Sequence, residues 1–243
     1  MDSHRDSRRQ GLTLVEVCCI VVLVAVIVAV VIPGLLPSNR RPVERSAATS
    51  LKTLSTAEAD FRANDRDWNH LNDYWTGDVK GLYTMTSAAV RGGAANTTTD
   101  PAIKLIELSL AAADADETFV PAGDENAPLS MFAVSSAKAG YWFAALDADL
   151  SVWPGAFYRQ NTGGDIPMGK CHHDSRFGFV AFPDSPSAGK YVFIVNQKNT
   201  IYRTVVTKSL RSGTANPPGL GGVAEYLNWP VEAELQKRWS KLD

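Results

Sequence analysis

The sequence predicts an α+β fold: a long N-terminal helix, apolar and then amphipathic, with a small antiparallel sheet packed on its second half. Three observations carry this expectation. An unbroken apolar run extends from Leu12 to Ile32 with Glu16 as its one charge. A second segment, 43–63, places Ala47, Leu51, Leu54, Glu58 and Phe61 at alternating spacings of four and three. That period marks one helix face, apolar except at Glu58. The C-terminal half then carries β-branched and aromatic runs separated by turn residues, the pattern of short strands.

Each element follows from its residues in order. The first eleven positions are polar and slightly basic, with Arg5, Arg8 and Arg9 set against Asp2 and Asp6. The 21 residues from Leu12 to Ile32 form a helix of about 31 Å, enough for a hydrocarbon core. No small-x-small site follows the run, so an ordinary secretory signal is not indicated. Arg8 and Arg9 favour a cytoplasmic N-terminus, with Arg40 and Arg41 competing on the far side. Pro33-Gly34, Pro37 and Pro42 interrupt the helical pattern, because proline removes a backbone donor and clashes with the preceding turn.

One carboxylate in such a run is costly, by about 2.5–3.5 kcal/mol near the centre of a membrane-spanning helix and less toward an end. Its setting is specific: Gly11-Leu12-Thr13-Leu14-Val15-Glu16, with Pro33 at 21 residues past Leu12. This segment resembles the class III signal peptide of type IV pilins and type II secretion pseudopilins, over roughly Arg8 to Phe61. The resemblance implies a prepilin peptidase that cuts after Gly11 and methylates Leu12, which stands where the family usually has Phe. It divides the chain into a leader (1–11), a transmembrane and filament-core helix (12–36), the amphipathic second half of that helix (43–63) and an α+β globular domain (64–243).

The pilin-like reading implies a structural role, not an enzyme. A subunit is inserted in the inner membrane, passing it once, and polymerises into a pilus or a secretion pseudopilus, its globular domain periplasmic or on an extracellular filament. The implied partners are the prepilin peptidase, an inner-membrane assembly platform, other pilin-like subunits and the membrane. Glu16 would pair with the charged Leu12 amine of a neighbouring subunit, and Pro33 falls where many pilins kink the helix. The alternative is a membrane-anchored periplasmic binding or sensory domain that uses the segment only as an anchor.

Beyond the helices, 65–75 reads as a packed polar and aromatic loop and 91–100 as a turn region. A short helix is expected over 103–113. Strands are expected at 130–135, 141–145, 177–182, 191–196 and 200–206, the last two forming a hairpin around Gln197-Lys198-Asn199.

Net charge is −2 without a basic stripe, which argues against a nucleic-acid partner. Two of the three cysteines, Cys18 and Cys19, lie in the apolar run, so Cys171 has no intrachain partner beyond them. Cys171-His172-His173-Asp174 resembles metal ligands. Neighbours on a strand face opposite ways, however, so a surface loop is expected. Asp65-x-Asp67-x-Asn69 begins like a calcium loop, but His70 and Thr76 stand where glycine and the bidentate glutamate belong. Asp114, Asp116, Asp147 and Asp149 read as solvated turns. Gly-x-Ser-x-Gly, the P-loop and the dinucleotide fingerprint are absent. No catalytic residue, metal ligand or cofactor is therefore assigned.

Overall fold

A computed structural model describes residues 14–35, 40–67, 70–85, 103–116, 128–159, 172–206, 220 and 223–242, with the side chains of the first helix described as far as Ile27. The chain forms two compact units, residues 1–39 and 40–243. In the first, helix α1 spans Leu14–Leu35 and carries Pro33 in its last turn. Its side chains from 14 to 27 are exposed within the unit. Among the described residues, no helix is long and apolar enough to cross a membrane, so a single-pass anchor gains no support there.

The second unit starts with helix α2, Arg40–Asn64, which admits Pro42 in its first turn, where a missing N–H costs nothing. Its buried face is the one that the spacing predicts: Ala47, Leu51, Leu54, Glu58 and Phe61, joined by Ala48 and Ala57. This face packs on a five-stranded, fully antiparallel sheet. The strands are β2 (Tyr141–Ala145), β6 (Gly178–Pro183), β7 (Tyr191–Asn196), β8 (Ile201–Val205) and β10 (Ser240–Leu242), in the order β10-β8-β7-β6-β2. The hairpin sets Ile194 opposite Tyr202 and Tyr191 opposite Val205, and Asn199 supplies a left-handed residue at its turn (φ 54°).

Every residue of β2 and β6 is buried, because both faces of the sheet are covered. Tyr141, Phe143 and Ala145, with Phe179, Phe193 and Val195, face the α2 side. The alternate residues Trp142, Ala144, Val180, Phe182, Val192 and Ile194 face a second core. That core is closed by Val223, Tyr226, Leu227, Trp229 and Leu235. It draws on a small three-stranded sheet of β3 (Ala148–Asp149), β4 (Ala156–Phe157) and β9 (Asn228–Trp229). Helix α5, Glu232–Arg238, supplies Leu235.

The architecture therefore differs from the expected long N-terminal (transmembrane plus amphipathic) helix on a small antiparallel sheet. Two helices in separate units replace the single long one, and the second unit is sheet-rich, with a five-stranded sheet covered on both faces. Two local expectations also change. Over 103–113 only Leu108–Ala111 is helical (α4). The N–H groups of Ile103 and Leu105 instead donate to Met85 and Leu82 carbonyls at 2.8 Å each, next to the single turn α3, Gly81–Thr84. The segment 130–135 is no strand: a 3-10 turn covers Leu129–Met131.

With a closed core on each face of its sheet, the second unit is expected to fold alone. A chain beginning at Arg40 should remain soluble and melt cooperatively by circular dichroism; an unfolded product would place the unit boundary elsewhere.

Candidate functional site

Three regions hold the polar groups whose placement calls for an explanation. The first is the N-terminal segment. Glu16 is exposed in the first turn of α1, where the amide dipoles of a helix N-terminus favour a carboxylate. Around it Leu14, Val15, Ile20, Val21 and Val22 each expose more than half their area, from 53% for Ile20 to 81% for Leu14. Pro33 lies in the last turn of the same helix. Gly11 and Leu12, the expected cut site, lie outside the described residues.

The second region is buried, and its assembly begins with a two-stranded ladder. Strand β1 (Tyr74–Trp75) pairs antiparallel with β5 (His172–His173), setting Trp75 opposite His172 and Tyr74 opposite His173. The ladder brings His172 against the C-terminal half of α2 and the turn after it. Phe61 of α2 lies 6.1 Å from the imidazole, and the Trp75 indole meets it edge-on at 5.3 Å and 84°.

Inside this aromatic wall three acids gather. His172 Nδ1 is 3.2 Å from Asp73 Oδ1, and Nε2 is 3.8 Å from Asp67 Oδ2. Ligand atoms of Asp67, Asp73 and His172 all lie within 4.8 Å of one another. Glu58, fully buried on α2, accepts the Trp75 N–H at 3.1 Å with Oε2, and its Oε1 has no hydrogen-bond partner. Burial above all, and then the charge of Asp73, push the Glu58 carboxyl well above the usual range, with the Trp75 N–H pulling the other way. Glu58 is therefore disposed to hold a proton that an exposed glutamate would release.

One expectation is corrected by this region, and further residues are placed by it. The His172-His173 pair is not a surface loop: both residues are buried, because the ladder to β1 draws them in. Cys171 lies outside the described residues. Nδ1 of His173 accepts the N–H groups of Ser175 (3.0 Å) and Arg176 (3.2 Å), and burial lowers its pKa against the pull of Asp174. Asp67 is fully buried. Finally Glu58, the one break in the apolar stripe of α2, proves to be buried with it. That break was the legible signal; Asp73 gave none.

A third set of acids, expected in solvated turns, is also largely buried. Asp114 and Asp116 are 2% and 3% exposed. Asp114 Oδ2 accepts the backbone N–H groups of Val79 (2.9 Å) and Lys80 (2.8 Å), and Oδ1 accepts that of Asp116 (2.9 Å). Lys80 Nζ lies 3.3 Å from buried Asp78 and donates to the Asp116 carbonyl at 2.6 Å. Arg159 closes the network on Asp116 at 2.9 Å. Asp149 is likewise buried and holds Arg176 at 3.3 Å. Asp147 is intermediate in exposure. Burial, then repulsion from Asp78, push the Asp114 carboxyl up to about 7. The network ties together 78–80, 114–116 and 159.

No protein family, curated protein or solved structure matches this chain.

Proposed function

We propose that this chain is a prepilin-type filament subunit, cut after Gly11 and polymerised through α1 into a type IV pilus or a type II secretion pseudopilus. The observation that carries the reading is the exposure of α1 from Leu14 to Ile27: these side chains are apolar on every face, with Glu16 in the first turn as their one charge. A helix apolar on every face is stable in use only where other groups cover it, and a large contiguous apolar surface marks an interaction site. Equivalent helices of neighbouring subunits would supply that cover. Glu16 would then meet the Leu12 amine of the next subunit, a pair that fixes axial register.

The partners in this reading are a prepilin peptidase, an inner-membrane assembly platform and further pilin-like subunits. Before assembly, the apolar run 12–32 holds the subunit at the inner membrane, and the sheet-rich unit faces away from the cytoplasm. The test is peptide mass spectrometry of the protein from its native membrane. A methylated peptide beginning at Leu12 is expected. A mature pool that retains Met1 would exclude processing, and with it this assembly route.

A further inference from the structure

We propose that the buried cluster of Asp67, Asp73 and His172, beside α2, β1 and β5, is a divalent transition-metal site, with His172 Nε2 and Asp67 as ligands and Asp73 orienting the imidazole. The proposal is independent of the filament reading. It starts from the two ring nitrogens. Nδ1 lies 3.2 Å from Asp73 Oδ1, a distance at which the ring N–H is donated to the carboxylate. The same arrangement fixes tautomer and orientation in metal-bound histidines, whose far nitrogen is routinely tied to a carboxylate.

With its proton on Nδ1, the ring presents a bare lone pair at Nε2. That atom is buried in a residue only 1% exposed, and it has no hydrogen-bond partner. It faces Asp67 Oδ2 at 3.8 Å. A zinc ion holds nitrogen and oxygen donors at about 2.0–2.2 Å in a tetrahedron, so neighbouring ligand atoms sit about 3.4 Å apart. The observed gap needs to close by only about 0.4 Å for a metal to bridge it.

Charge argues the same way. Asp67 and Asp73 bring two carboxylates to one imidazole in a region closed by Phe61 and Trp75. Buried charge is stable only when compensated, and a dication compensates both aspartates at once. The imidazole selects the metal class: nitrogen with carboxylate oxygen suits zinc or manganese, whereas calcium and magnesium take oxygen alone.

The experiment uses the full chain in detergent, stripped with a chelator and dialysed against Zn²⁺, Mn²⁺ or Ca²⁺. One Zn²⁺ per chain should be retained, and saturation should raise the melting midpoint by about 5 °C or more; Ca²⁺ should leave it unmoved. Asp67→Asn keeps the side-chain shape and removes the anion, so it should bind zinc at least about tenfold more weakly. His70→Ala, which removes an exposed histidine, should bind like the wild type. Should Asp67→Asn fail to fold, the visible spectrum of the Co²⁺-loaded wild-type chain decides. Bands of a nitrogen- and oxygen-ligated ion support the site, whereas thiolate bands would move the metal to a cysteine and overturn it. Absence of retained zinc, or equal affinity in a folded Asp67→Asn chain, overturns it as well.

Discussion

Asp114→Ala is expected to bring the sheet-rich unit to the edge of unfolding at neutral pH. The carboxylate accepts three backbone N–H groups, from Val79, Lys80 and Asp116, at 2.8 to 2.9 Å. Alanine strands those donors. Each buried donor left unmade costs about 1–3 kcal/mol, and the whole stability of a domain is only about 5–15 kcal/mol. Chemical denaturation of the wild type and the variant measures the difference. A loss under about 1 kcal/mol, the scale of an exposed ion pair, would show that the three bonds are replaced by water.

The same residue sets a pH dependence with a definite sign. Its carboxyl is raised in the folded protein from 3.8 to about 7. Between those values the folded protein holds a proton that the unfolded chain releases. The contribution to stability is thus fully present below about pH 4 and is lost as pH rises toward 7. Asp114→Asn, which cannot ionise, should flatten this slope. A slope unchanged in Asp114→Asn would assign the effect to another acid, Glu58 being the next raised in the same direction.

Glu16→Gln is expected to leave processing intact and to impair incorporation into filaments. If α1 is buried among neighbouring helices, as the proposed function requires, the variant leaves the Leu12 amine without its countercharge. Removing one member of a buried ion pair costs about 3–5 kcal/mol, far above the few tenths that helix propensity could contribute. The measurement compares processed subunit in membranes with subunit in sheared filaments, for wild type and variant. Equal incorporation would mean that Glu16 is merely tolerated, and would favour a chain that uses the segment only as an anchor.

Local patterns made some of this molecule legible before any coordinates. The four-three spacing of Ala47, Leu51, Leu54 and Phe61 located α2 and its buried face, because a helix brings such positions together regardless of what covers them. The runs 191–196 and 200–206 located the hairpin, since strand pairing across a short turn is also local. The second core was not legible in this way. A strand covered on both faces reads as a continuous apolar run, and the run does not reveal what lies on its far side. The layer contributed by Val223, Tyr226, Trp229 and Leu235 comes from the end of the chain. It turned an expected small sheet under one helix into a sheet with two cores.

The polar centre divides along the same line. By itself the sequence determined the N-terminal pattern from Gly11 to Glu16 and the anomaly of Glu58 on an apolar stripe, because each is a matter of residue type at short spacing. Only the tertiary structure decided that Asp73 and His172, 99 residues apart, face each other beside Asp67 and Glu58. It likewise drew His172-His173 and Asp114 out of their expected loops into the interior. The physical reason is range. Helix period, turn chemistry and cut-site spacing are set by neighbours along the chain. The burial of a carboxylate or an imidazole is set by a strand such as β5 finding β1, and that pairing leaves no mark in the residues on either side.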